Sequence, residues 1–534
     1  GEKTWAGIKV SDGLNVVETA ADGSFTLPGH ERERFIFITT PSGYKTFNRH
    51  YHKIEKKQSG YDFGLIPYSG RIRKDGSHRY IHITDTEIFN TENHADWVNN
   101  VHDYARNEQA AFIIHTGDIC YEKGLKAHIK LMNTENMDCP VFYCIGNHDL
   151  VKGKYGEELF ESIYGPVYYS FDAGNVHYVV TPMPGGDHAP GYTSDDVCRW
   201  LKNDLAHIRP GTPVVVFNHD LLTYEDTFIF KSKNAGSINL NEYNLKAWVY
   251  GHWHINYMKK QGDVYSVCTS SLDKGGIDHS TTAFRVMHVD SKGDFTSELR
   301  YTYLDKNICI ASPAGVMASG VLPVAVNVYS SVSPVREVLY TCLADGKPVL
   351  KNKRLLQSTD WSWNGELPLS HKYVGKELTL RVTARFNNGE IAEAESHFIC
   401  RTEKAVPLFS ADWDNLSGNA KHSAPVSAPL NLPLQLAWTN NVGANLYMTS
   451  PLIHKGKVIV ASVDEDLKGV GHVYALNGKD GTILWSCPVR NSIKNSIAVD
   501  SDIVFAQDAQ GFLYAIDTET GKLCWEKQLP VNGL

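Results

Sequence analysis

Six side chains that follow short apolar runs could do chemistry together: Asp85, Asp118, Asn147, His219, His252 and His254. They offer hard oxygen donors and imidazole nitrogens, a set suited to two metal ions such as Mn, Fe or Zn. Each lies in a segment of one design, an apolar strand running into a polar turn. The segments are RYIHITDTE (79–87), AFIIHTGD (111–118), VFYCIGNHD (141–149), VVVFNHD (214–220) and AWVYGHWH (247–254). In open α/β sheets ligands sit at the carboxyl ends of strands, so five such ends can converge on one spot. Glycines at 117, 146 and 251 are placed to let the backbone turn sharply before each donor. A chance scatter of polar residues would not set six donors each directly behind a β pattern.

Other polar residues near these segments have blander readings. His82 and His115 sit inside the apolar runs and read as satisfied interior residues. His128 shares a helical pattern with Leu125, Ile129 and Met132 and reads as surface. Asp187 and His188 lie in PMPGGDHAPG, a Gly/Pro loop on the side where substrate loops fall, and are candidates for substrate contact. Trp253, between two candidate ligands, either walls the site or packs.

These residues need an α/β layer fold to position them, and residues 71–305 alternate short apolar strands with amphipathic helices as such a fold requires. One helix is expected over Ser194–Ile208, capped by Ser194, with Val197, Trp200, Leu201 and Leu205 on its apolar face. Residues 1–70 read as a β module, with turns at Asp12-Gly13 and Asp22-Gly23 and extended runs at Phe25–Leu27 and Phe35–Ile38. Strict alternation returns over 306–403, clearest at Leu378, Leu380, Val382, Ala384 and Phe386 before an Asn388-Gly389 turn. That stretch resembles an immunoglobulin-like sandwich. Residues 404–433, polar with Pro and Ser, read as a linker.

From 434 to 534 the chain repeats itself. GHVYAL at 471 recurs as GFLYAI at 511, an offset of 40, and Gly481 and Trp485 recur as Gly521 and Trp525. A period of this length suggests four-stranded propeller blades. The units resemble the quinoprotein-type repeat, with Trp438 opening a partial earlier unit. About two blades cannot close a ring, which takes typically four to eight, so a partial propeller with an open edge, or a longer natural chain, is expected.

Composition narrows the possibilities. At 534 residues, with 42% hydrophobic and 21% charged residues, this is an ordinary multidomain globular chain without a run apolar enough for a membrane-spanning helix. Lys+Arg 52 against Asp+Glu 60 gives a net charge of −8, so there is no basic field for nucleic acid. Ten dispersed cysteines are too few for a disulfide-built scaffold. The chain begins Gly1-Glu2, as expected of a mature or trimmed product or of an expressed piece.

The segments DTE (85–87), GDIC (117–120), GNHD (146–149), His219 and GHWH (251–254) resemble, in order, the motifs of the calcineurin-like metallophosphoesterase superfamily. The stretch YGPVYYSF (164–171) followed by GNVH (174–177) is similar to that family too, and the resemblance covers about 180 residues. With the β modules and the repeats already read, the fold expected is multidomain: a central α/β sandwich metallophosphoesterase fold flanked by β-sandwich modules, with a partial β-propeller at the C-terminus. The resemblance further implies a dinuclear centre of divalent or trivalent ions whose bridging hydroxide attacks a phosphoester. Carried over by position, Asp118 would bridge both ions. Asp85, Glu87 and His254 would complete the first site, and Asn147, His219 and His252 the second. His148 would contact phosphate and protonate the leaving oxygen, with Asp149 keeping it cationic and oriented. Glu87 departs from the family, which has a histidine there; it either ligates, favouring harder metals, or lies outside the shell.

The function expected is metal-dependent phosphoester hydrolysis outside the cytoplasm, since the β-module layout resembles secreted bacterial hydrolases. The alternative is a binding or scaffold protein that meets a protein or glycan partner through its propeller and carries a weakened phosphoesterase fold. Quinone-dependent dehydrogenation ranks last, because the repeats present no quinone site.

Overall fold

The computed structural model describes residues 4–56, 58, 60–402, 412–423, 434, 436–447 and 449–530. The chain is mostly β, with four α-helices among the described residues. It divides into two compact units, Gly1–Tyr303 and Leu304–Leu534.

The first unit is built on two sheets. One has five strands in the order Phe295–Tyr301, Ala283–Val289, His78–Ile83, Phe112–His115, Val141–Tyr143. The other has six, in the order Tyr169–Ala173, Val176–Val180, Val214–Phe217, Leu245–Tyr250, Val264–Cys268, Tyr257–Gln261. The strands that lead into the candidate donors run parallel within each sheet. Period-two alternation decides what lies between and outside the sheets. Tyr80, Phe112 and Phe142 of the first sheet meet Phe171, Tyr178 and Phe217 of the second in a stacked and edge-on aromatic core. Ile81, Ile83, Ile113 and Val141 point the other way, into a core with α1 (Ala95–Asn107), α2 (Tyr121–Leu131) and α3 (Glu158–Tyr164).

The helix expected at 194 is α4 (Ser194–Ala206), and its cap is Thr193 rather than Ser194. Thr193 Oγ1 accepts from Asp196 N while the Asp196 carboxylate accepts from Thr193 N, a reciprocal capping box one residue earlier than the expected cap.

The N-terminal module belongs to this same unit. Its strand Phe35–Ile38 is buried throughout, and Phe37 packs on Trp200 of α4. The expected run Phe25–Leu27 forms no strand, and instead lays Phe25 and Leu27 on the small module core of Val10, Ile36 and Ile38. Arg34 reaches across to Glu157 (2.8 Å) and Glu161 (3.0 Å), both buried. A buried polar chain also crosses the boundary. Thr39 Oγ1 meets Ser170 Oγ, which donates to Asp204, whose other oxygen holds His177; His177 Nδ1 pairs with Asp172.

The second unit starts with a four-stranded antiparallel sheet and a five-stranded sheet, antiparallel except where Gly315–Ala318 runs parallel to Ile391–Arg401, sharing one apolar core. In Glu377–Phe386 the five alternating apolar residues are all buried, and Gly389 at φ +90° turns the chain into Ile391–Arg401. Most of the expected linker lies outside the described residues. Within the described part, Trp413 pairs with Ile453 of the repeat region. The repeats form two four-stranded antiparallel sheets, Leu452–Pro488 and Ala498–Gln528. Gly481 and Gly521 have the rings of Trp438 and Trp485 stacked on them, so closely that a Cβ would stand 2.3 and 2.6 Å from ring carbons. Trp438 thus does for one repeat what Trp485 does for the next, while Trp525 stays 45% exposed.

Candidate metal centre

The turns after the five strands are laced to one another by backbone hydrogen bonds: Asp85 N to Gly117 O, Glu87 N to Asp118 O, Gly251 N to His219 O and Tyr121 N to His148 O. Those bonds join three strand ends of one sheet and, separately, two of the other; His219 Nδ1 to Thr116 O and His252 N to Asp85 Oδ2 bring the two sets together. Asp85, Glu87, Asp118, His252 and His254 all sit at positive φ, between +43° and +66°. For residues with a Cβ this backbone is costly, and so many strained residues gathered at one place mark a functional site.

Asp118 is central and buried. Its Oδ1 accepts from His148 N (3.0 Å), and its Oδ2 lies 3.1 Å from His219 Nε2. His219 donates its Nδ1 proton to Thr116 O (2.7 Å), so Nε2 is the nitrogen that faces the site. His252 packs edge-on against His219, and Asp118, His219 and His252 present ligand atoms within 4.8 Å of one another. On the other side Asp85 Oδ2 accepts from Thr84 Oγ1 and His252 N, while Oδ1 lies 3.3 Å from His254 Nε2. Glu87 Oε1 is 3.5 Å from the same His254 nitrogen, and Glu87, Asp118 and Cys120 form a second group of ligand atoms within 4.8 Å. The two groups share Asp118.

Three buried atoms here, Asp85 Oδ1, Asn147 Oδ1 and His219 Nε2, have no hydrogen-bond partner. Unpaired buried polar atoms are costly, and three converging on a carboxylate-rich pocket fit a bound cation. Oxygen and imidazole donors of this kind suit Mn, Fe or Zn. Burial alone would lower the His219 pKa, but the Asp118 carboxylate outweighs it and raises it to about 10. Burial likewise works against ionisation of Asp118, and His219 reverses it to a net lowering. The site therefore holds strong negative charge that a cation would relieve.

The glycines act mainly by absence of bulk. Gly117 is at φ +98°, but Gly146 and Gly251 are not in the left-handed region. A Cβ on Gly146 would stand 2.2 Å from Asp118 Oδ1, and one on Gly251 1.9 Å from Thr84 Oγ1 and 2.5 Å from Asp85 Oδ2. Close approach of the donor loops, rather than a sharp turn, is what these two positions require.

Asp149 does not orient His148. Its two oxygens accept from Cys120 N (2.8 Å) and Gly146 N (2.9 Å), so it ties two donor loops together below the site. Burial, then the nearby Asp118 charge, push its carboxyl up to about 7. The partner of His148 is Asp187, whose Oδ2 is 2.8 Å from Nδ1. Partial burial draws the His148 pKa down, and the Asp187 hydrogen bond with the Asp118 charge more than restores it, for a net rise. His188, beside Asp187, is exposed. Trp253 packs among Tyr224, Tyr250 and Tyr257 and donates from Nε1 to Asp220 (3.0 Å), so it forms part of a fixed aromatic wall.

His82 and His115 are satisfied interior residues: His82 bridges Thr116 and Thr269, and His115 accepts from Gly117 N and meets Thr86. His128 is not surface. It is fully buried against His115, Tyr143 and Tyr164, because α2 turns that face onto the sheet. Two residues escaped the sequence reading. Lys274 Nζ binds Glu87 Oε2 (2.7 Å) and Glu87 O (3.2 Å) from a turn 187 residues away, which no local pattern signals. Cys120 is buried beside Asp118, within a motif already singled out.

Residues 78–256 match the family model of calcineurin-like phosphoesterases, residues 1–67 the model of the N-terminal part of calcineurin-like phosphoesterases, and residues 435–533 that of outer membrane protein assembly factor BamB. Over 215 residues the chain is 26% identical to purple acid phosphatase 13 of Arabidopsis thaliana, covering 38% of this chain and 36% of that one. The chain thus spans about a third of the curated relative it matches. Among solved structures, BamB from Moraxella catarrhalis is 16% identical over 18% of this chain and 28% of its own, with a TM-score of 0.16. A protein of Streptococcus pneumoniae described as a predicted phosphoesterase is 10% identical over 42% of this chain and 98% of its own, with a TM-score of 0.20.

Proposed function

We propose, from the premise that residues 78–256 are a calcineurin-like phosphoesterase domain, that this protein hydrolyses phosphoester bonds at a dinuclear metal centre. The observation that carries the reading is the pair of ligand groups sharing Asp118, lined by the three unpartnered atoms of Asp85, Asn147 and His219. Asp85, Glu87, Asp118 and His254 would hold one ion, and Asp118, Asn147, His219 and His252 the other. Two such ions, divalent or trivalent, supply Lewis acidity toward phosphoryl oxygens and activate water near neutral pH.

The chain's own residues do the rest. Thr116 fixes the His219 tautomer, and Asp149 holds the loops of Asp118 and Asn147 in register. His148, partly exposed at the rim, contacts the phosphoryl group and delivers a proton to the departing oxygen; Asp187 orients its ring and keeps it protonated. The likeness to a purple acid phosphatase supports a phosphate ester as substrate. Asp118→Ala should remove both metals and all turnover. Metal analysis with a screen of mono- and diesters tests the whole reading: a protein that binds no metal and turns over no ester would overturn it.

The two C-terminal sheets are read as two propeller blades, with Trp525 and the exposed strand Leu523–Gln528 at an open edge that suits a protein or glycan partner. The match to an outer membrane assembly factor supports a place outside the cytoplasm. A pull-down with residues 304–534 that recovers no specific partner would remove the binding role.

A further inference from the structure

Cys120 sits where a small apolar residue would have sufficed, yet it is held in a costly backbone. Its φ and ψ are +77° and 119°, a region that residues other than glycine avoid. Glycine there would relieve the strain, so the position gains something from its side chain. That side chain is 2% exposed, and its sulfur lies within 4.8 Å of ligand oxygens of both Glu87 and Asp118. Around one tetrahedral ion with metal–oxygen bonds of ~2.1 Å and metal–sulfur of ~2.3 Å, sulfur and oxygen donors stand ~3.6 Å apart, so the group would close on the ion by at most about 1.2 Å. An independent observation points to the same place. Asp85 Oδ1, buried and unpartnered, is aimed at His254 Nε2 (3.3 Å), which is also 3.5 Å from Glu87 Oε1. Among the described residues no other cysteine joins such a group.

We infer that Cys120 is a sulfur ligand of the metal bound on the Glu87 side of Asp118. The inference rests on the dinuclear reading above and adds one donor to it. Sulfur binds as thiolate: the S–H proton leaves to solvent as the metal–sulfur bond forms, and no electron is transferred. The first site then combines a hard carboxylate from Glu87 with a soft thiolate, which favours Zn, Fe or Co over Mn or Mg. The second site, with Asn147, His219 and His252, has no sulfur.

Cobalt(II) tests this without any assay of activity. The full chain is stripped with chelator and titrated with Co(II), following near-ultraviolet absorption and bound metal together. The expected result is a sulfur-to-cobalt charge-transfer band that saturates at one of two equivalents and is lost in Cys120→Ser and Cys120→Ala. Two bound cobalt ions without that band in the unaltered protein would overturn the assignment and leave the dinuclear centre standing. A band that persists in both variants would assign the sulfur elsewhere and overturn it equally. Failure of the protein to bind cobalt at all would overturn the dinuclear reading together with this one.

Discussion

At the scale of single residues, the proposed function divides the positions around Asp118 into those that would hold metal and those that would handle the substrate. A general acid matters in proportion to how badly the leaving oxygen needs a proton, and nitrophenolate hardly needs one. His148→Ala should therefore keep both metals, lose modest activity on p-nitrophenyl phosphate and lose about 10²-fold or more on alkyl or sugar phosphates. Because Asp187 rather than Asp149 meets the ring, Asp187→Asn should show the same dependence on leaving group in weaker form. Asp149→Asn should show no such dependence and should instead disturb metal content. Equal losses on the two esters in His148→Ala would remove the acid role, and kcat/KM on one activated and one unactivated ester decides it. Glu87 offers Oε1 to the site while Lys274 holds Oε2. Glu87→Ala should lower occupancy at one site only, and Glu87→His should shift preference toward zinc. Unchanged stoichiometry and selectivity in both, by elemental analysis, would show Glu87 to be a bystander.

At the scale of elements, loops rather than strands carry the tolerances. Gly146→Ala would put a methyl group 2.2 Å from Asp118 Oδ1 and against the backbone N of Asp118, with no flexible side-chain tip to give way. It should cost most of the metal affinity and activity while circular dichroism stays near that of the parent; full metal content would show that the loops can part. The triad of His177, Asp172 and Asp204 works on a different quantity, stability against pH. Burial lowers the His177 pKa, but Asp204 and then Asp172 reverse this and raise it from 6.5 to about 9. Asp172 is lowered from 3.8, with His177 and Lys9 overcoming its burial. A histidine raised on folding stabilises fully below its unfolded pKa and loses that contribution as pH climbs through the folded value. Thermal stability should fall between pH 6.5 and about 9, and His177→Gln should flatten that fall while lowering the melting temperature most below pH 6.5, where the contribution is complete. A parallel pair of curves would show that the triad does not titrate there.

At the scale of the whole molecule, the N-terminal module and the phosphoesterase domain form one compact unit. Arg34 pairs with the buried Glu157 and Glu161 across their boundary. Removing one partner from a buried charge cluster strands the others, so Arg34→Ala should cost about 3–5 kcal/mol. Residues 1–303 should unfold in one transition, and a chain starting at residue 71 should be poorly soluble, since the Trp200 face that Phe37 covers would be bare. Calorimetry of the 1–303 piece checks this, and two separate transitions would show the module to be independent.

Much of the centre was legible because the donors follow apolar runs at fixed local offsets, and parallel strands deliver their carboxyl ends to one edge. The same holds for Leu378 to Phe386, whose period of two fixes which side is buried, and for the repeats, where Trp and Gly recur at constant spacing. What the sequence could not decide are contacts between side chains distant along the chain. His148 chooses Asp187 over its neighbour Asp149 because Asp149 turns under the site to bind two backbone N–H groups. Lys274 finds Glu87, and Arg34 finds Glu157, only when packing brings their loops together. His128 reads as surface by its local pattern and is buried by the sheet its helix covers. Periodicity encodes which way a residue points along its own element; the partner it meets there is set by the packing of the elements against each other, and that is a property of the tertiary structure alone.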